Sequence, residues 1–91
     1  MSRIDITHAH SLSTDAARQA IDTLAAKLTE KYKVRSNWAG DTLSLNGSGV
    51  DGAIKLVPGA VNVVAELGFP ASLMTDTVKN EIKRVLEEKL G

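Results

Sequence analysis

The sequence predicts an α+β domain, with one antiparallel sheet carrying two helices on a single face in the order β-α-β-β-β-β-α. Three observations predict it. One stretch near each end places apolar side chains at helical spacing, and five shorter runs alternate apolar and polar residues. The connections between the last four of those runs are too short for anything but antiparallel pairing.

Arg3 to His8 alternates, with Ile4 and Ile6 on one side and Arg3, Asp5 and Thr7 on the other, the period of a half-buried strand. The spacing then predicts a helix over 14–33. Ser13 is the expected cap, Asp15 suits the positive end of the dipole, and Leu12 is placed to staple onto Ala17. Ala17, Ile21, Leu24, Ala25, Leu28 and Tyr32 form its apolar stripe. Lys27, Lys31 and Lys33 gather near its far end.

Four strands follow. Val34 to Ala39 sets Val34, Ser36 and Trp38 on one face, and Gly40-Asp41 turns the chain. Thr42 to Asn46 points Leu43 and Leu45 inward before a turn at Gly47-Ser48-Gly49. Val50 to Leu56 alternates Val50, Gly52, Ile54 and Leu56 against Asp51, Ala53 and Lys55. Pro58-Gly59 turns into Ala60 to Leu67, where Val61, Val63, Ala65 and Leu67 face Asn62, Val64 and Glu66 across the pleat. Gly68-Phe69-Pro70 breaks the pattern. A second helix, capped at Ser72 or Thr75, buries Val78, Ile82, Val85, Leu86 and Leu90, with Lys83–Glu87 and Arg84–Glu88 as surface pairs. The first strand is expected to pair with the last. The outer sheet face then carries Asp5, Thr7, Arg35, Asn37, Ser44, Lys55, Asn62 and Glu66.

Ninety-one residues suffice for one domain over 1–91, with a thin core. At 43% hydrophobic and 24% charged residues the composition is that of a globular protein. Eleven basic and eleven acidic side chains cancel, so no overall field draws the chain to nucleic acid. Without cysteine there is no disulfide, thiolate catalysis or sulfur-ligated zinc. A soluble, cytoplasmic protein is expected, because no signal-peptide core or membrane-length apolar run occurs.

Few residues point to chemistry. His8 and His10 would form a metal half-site if the strand continued, but no carboxylate partner stands at diagnostic spacing, so ending the strand and helping to turn the chain into the helix is the preferred reading. Ser11, Ser13 and Thr14 lie near His10, and Ser13 is better explained as a cap. Gly47 to Gly52 is glycine-rich but lacks the Lys-Ser/Thr ending of a phosphate loop and feeds a strand, so it reads as a turn. Trp38 is expected to be buried beside the first helix among Ile21, Leu24 and Leu28. No enzyme activity, metal or cofactor is expected. Phe69, Leu73 and Met74, with Val64 on the polar sheet face, form a candidate contact patch.

His10-Ser11-Leu12, Trp38-x-Gly40-Asp41-x-Leu43, Ser48-Gly49-Val50-x-Gly52-x-Ile54 and Leu67-Gly68-Phe69 occur in that order. Together they resemble the polyhydroxyalkanoic acid system proteins, a family of short bacterial domains, from Ile4 to Leu90. The resemblance implies an accessory role at or near storage-polyester granules, with a protein partner, a granule surface or a second subunit, and carries no catalytic residues. An alternative from another class is a small carrier holding an acyl or hydroxyacyl group between sheet and helices.

Overall fold

The structure, a computed structural model, describes residues 2–47, 49–69 and 71–91. Ser48 and Pro70, placed by the sequence in turns, lie outside the described residues. Strand β1 (Ser2–Ala9) leads into helix α1 (Thr14–Tyr32). Strands β2 (Arg35–Ala39), β3 (Thr42–Gly47), β4 (Val50–Val57) and β5 (Ala60–Leu67) follow as a meander. A 3-10 turn, Ala71–Met74, opens helix α2 (Thr75–Leu90). The five strands form one antiparallel sheet in the order β1-β5-β4-β3-β2, so β1 does pair with β5, from Ser2 opposite Leu67 to Ala9 opposite Ala60.

This order makes β1 and β2 the two edges, and α1 must carry the chain from one to the other. Four inter-strand spacings amount to roughly 19 Å. The 19 residues of α1 span about 28 Å, which is ample. Ser13 caps the helix as expected, its Oγ accepting from the Ala16 N–H at 3.2 Å. At the other end Lys33 adopts a left-handed conformation (φ 59°) and donates its N–H to the Thr29 carbonyl at 3.0 Å. The Thr29 hydroxyl donates to the Val34 carbonyl at 2.6 Å, fixing the entry to β2.

Every fully buried side chain is apolar among the described residues. Ile4, Ile6, Leu43, Leu45, Ile54, Val61, Val63 and Leu67 line the inner sheet face, covered by Ile21, Leu24 and Leu28 of α1 and by Ile82, Val85 and Leu86 of α2. Gly52 fills its inner position with no side chain. A Cβ there would lie 2.6 Å from the Val64 carbonyl oxygen and 2.9 Å from Ala65, so β4 and β5 approach too closely for any other residue.

Three sequence expectations need correction. Trp38 is half-buried and packs against the margin of the core. Its Nε1–H donates to Asp22 at 2.7 Å, and the Arg18 guanidinium lies 4.0 Å from the ring centroid. The reason is that β2 is the last strand of the sheet, where α1 presents its polar margin. Arg18 also donates to the Gly40 carbonyl at 2.9 Å and stands 3.6 Å from Asp41, strapping the β2–β3 turn to the helix. Second, neither Ser72 nor Thr75 caps α2 through its side chain. The helix has Met74 at its N-cap without a side-chain bond, and Thr75 instead donates its hydroxyl to the Ser72 carbonyl at 2.8 Å. A 3-10 turn, and no side-chain cap, leads into the helix. Third, Arg84 pairs with Glu81 at 2.7 Å, one turn back, and not with Glu88. Glu81 is drawn to the seam between the helices because Lys31 of α1 meets it at 3.0 Å.

The hydrogen bond from Lys31 holds the Glu81 carboxyl below its ordinary value, partly opposed by desolvation and reinforced by the charges of Arg84 and Lys31. A carboxyl whose pKa is lowered by folding stabilises the fold above its unfolded value, near 4.5, and loses that contribution as pH falls through the lower folded value. Glu81→Gln should therefore lower stability by up to about 1 kcal/mol at pH 7. Urea melts repeated at descending pH should show the difference from wild type shrinking below pH 4.5 and vanishing once Glu81 is protonated. Trp38→Phe keeps most of the ring contact with Arg18 but removes the donor to Asp22. Its cost should be about 1 kcal/mol by urea denaturation, well short of the roughly 3–5 kcal/mol of a deleted core aromatic.

Candidate interaction site

The most exposed large apolar side chains among the described residues stand together in sequence, at the junction of β5 with α2. Phe69 is 79% exposed, Leu73 76% and Met74 46%. They ride on a hydrogen-bonded frame. The Gly68 N–H donates to the Gly49 carbonyl at 2.8 Å, tying the end of β5 to the β3–β4 turn. The Ser72 N–H donates back to Gly68 at 3.0 Å, and Thr75 locks onto Ser72. A flexible apolar loop would lose entropy on docking, whereas a segment already pinned loses little.

Beside this segment, a cleft opens between the helices and the inner sheet face. Leu28 and Tyr32 of α1, Leu45, Val50 and Leu67 of the sheet and Met74 at the mouth form its wall, which is apolar throughout. Ala65 leaves part of that space by being small. Free space totals about 430 Å³ including the open mouth, yet only about 30 Å³ is deep enough to hold a solvent-sized group. Ligand pockets run to about 300–1,000 Å³. As it stands, the cleft admits a methyl group or two and no acyl chain.

Val64 stands apart from this cluster. It sits on the outer sheet face, half-buried between Asp5 of β1 and Ala53 of β4. The four residues of the candidate patch therefore divide into a trio at one end of the molecule and a single side chain on the opposite side of the sheet.

The histidines are employed separately. His8 donates from Nε2 to the Gly91 carbonyl at 3.1 Å, joining β1 to the end of α2. His10 turns out of the strand, where its Nδ1 accepts the Leu12 N–H at 3.1 Å and its own N–H donates to the Gly59 carbonyl at 2.9 Å. Accepting at Nδ1 places the ring proton on Nε2, which is buried without a partner. The sequence reading has these histidines end the strand and help turn the chain into the helix, and His10 does so through its bonds to Leu12 and Gly59. Among the described residues, no three His, Asp or Glu side chains converge as metal ligands would. Gly47 closes β3 and Gly49 turns at φ 80°, so the glycine-rich stretch forms a hairpin and leads into β4.

Exposed apolar groups that serve a contact contribute little to folding. Phe69→Ser combined with Leu73→Ser should shift stability by no more than about 0.5 kcal/mol per site. Thermal melts of the double variant and the parent should nearly superimpose. A large loss would place these side chains in the core.

No helix is long and apolar enough to cross a membrane among the described residues. No match was found among curated proteins or among solved structures. The family model described as "Putative polyhydroxyalkanoic acid system protein" matches residues 4–90, nearly all of the 91-residue chain. The motif order and this match agree, and the chain belongs to the polyhydroxyalkanoic acid system protein family.

Proposed function

We propose that the protein is a non-catalytic accessory of bacterial polyhydroxyalkanoate storage, working in the cytoplasm through an apolar contact at the granule surface. The observation that carries this reading is the exposure of Phe69, Leu73 and Met74 on a pinned segment beside an apolar cleft. A polyester surface offers methyl and methylene groups and few hydrogen-bond donors. Large apolar side chains with no charged residue interspersed between Phe69 and Met74 suit such a surface, and the burial of each contributes on the order of 1.5–3 kcal/mol. Both histidines have structural employment. These features favour contact over catalysis. The cleft's small depth weighs against an acyl carrier.

Co-sedimentation with purified polyhydroxyalkanoate granules tests the reading. Wild-type protein should pellet with granules, and Phe69→Asp with Leu73→Asp should reduce the bound fraction at least tenfold while the melting curve is unchanged. Parallel sedimentation with protein-free polymer particles separates the two sources of contact. Binding to bare polymer assigns the patch to the polyester, and binding only to native granules assigns it to a coat protein. Equal pelleting of the double variant and the parent would remove the patch from the function.

A further inference from the structure

The register of the sheet builds a notch into the inner face. In one row across the strands, Ile6, Val63, Ile54 and Leu43 stand side by side, and all are large. In the next row Ile4 and Leu45 stand at the flanks, while Ala65 and Gly52 oppose each other in the middle. Strand β4 cannot fill that gap, because a Cβ at Gly52 would lie 2.6 Å from the Val64 carbonyl oxygen. Strand β5 contributes a single methyl group. Ala65 lines the apolar cleft, whose wall also includes Leu28 of α1 and Val78 of α2, with Met74 at the mouth. An apolar cleft left empty forfeits dispersion contacts that a larger residue at 65 would recover. Stability alone does not call for it.

We propose that the cleft is a subsite for the short alkyl branches of the polyester, one methyl or ethyl group entering at a time while Phe69 and Leu73 lie on the polymer around it. The inference rests on the granule-contact reading above and adds to it a selectivity for branch length. Size and polarity both support it. About 30 Å³ of depth holds roughly two solvent-sized groups. That matches a branch of one or two carbons and stops a longer one. The wall is apolar throughout and offers no hydrogen-bond partner. A polyester has no N–H along its chain to leave unpaired. A peptide laid over the same mouth would bring its N–H groups to a surface that cannot accept them, which is costly. Polarity therefore selects polymer over protein as the occupant.

Depletion of the protein onto protein-free particles of two polyesters tests this, one with methyl branches and one with pentyl branches. The measured quantity is the affinity for the first divided by that for the second. This ratio should be about four- to fifteenfold higher for the parent than for Ala65→Val, which fills the notch. That range corresponds to burying one or two carbons at ~0.8 kcal/mol each. Val50→Leu, which narrows the cleft from β4, should lower the ratio in the same way. Thermal melts confirm that the variants are folded. Phe69→Asp with Leu73→Asp should weaken binding to both polymers, so the ratio reports the cleft and the absolute affinity reports the patch. A ratio that is the same in the parent and in either folded cleft variant overturns the inference and leaves the patch standing. Parent protein that binds neither bare polymer also overturns it, and native granules then decide the patch separately.

Discussion

One helix has to cross the whole sheet, and the rest of the structure is arranged around that crossing. The strand order puts β1 and β2 on opposite edges, so α1 is both the connection and the roof over much of the inner face. The meander that follows can only return toward β1, which closes the sheet with β5 beside β1 and delivers the chain to the flank that α1 leaves open. There α2 packs against β1 and α1. Because both helices are spent on one face, the other face stays in water.

The crossing also explains where the polar contacts fall. They lie at the margins of the aliphatic core: Arg18 and Asp22 on Trp38 at the β2 edge, Lys31 with Glu81 at the helix–helix seam, and His8 with Gly91 where β1 meets the end of α2. Each joins elements that come from distant parts of the chain. Their individual energies are modest, but they mark how far the apolar surfaces extend before water begins.

Much of this was legible in the residue pattern. Alternation located all five strands and assigned each side chain to the correct face, and helical spacing located both helices with their buried positions. The pairing of β1 with β5 was expected, although the long connection through α1 leaves the neighbour of β1 unmarked in the residue pattern. Trp38 shows where periodicity stops. Phase says which face a side chain takes, while burial depends on whether the strand is central or outermost, a property of strand order. The same limit applied to the contact residues. Phe69, Leu73 and Met74 were readable as apolar residues in a break between elements and Val64 as the apolar residue of the polar sheet face, but the distance between trio and single residue is set by the fold. The opposition of Gly52 to Ala65 requires the register between two strands, which no local window contains. The entry to α2 was misread for a related reason. Ser72 and Thr75 have the chemistry of caps, yet a 3-10 turn opens the helix and the Thr75 hydroxyl is spent on the Ser72 carbonyl.

The hydrogen bond from Gly68 to the Gly49 carbonyl has a mechanical meaning. It joins the segment bearing Phe69 to the hairpin turn between β3 and β4, the middle of the sheet. A pull applied to that segment is therefore shared with central strands, not taken by the start of α2 alone. A protein attached to something large at this end would transmit the load into its most extensively paired part, and α2 would be spared from peeling. The exchange rate of the Gly68 amide thus reports directly on whether that anchor is holding.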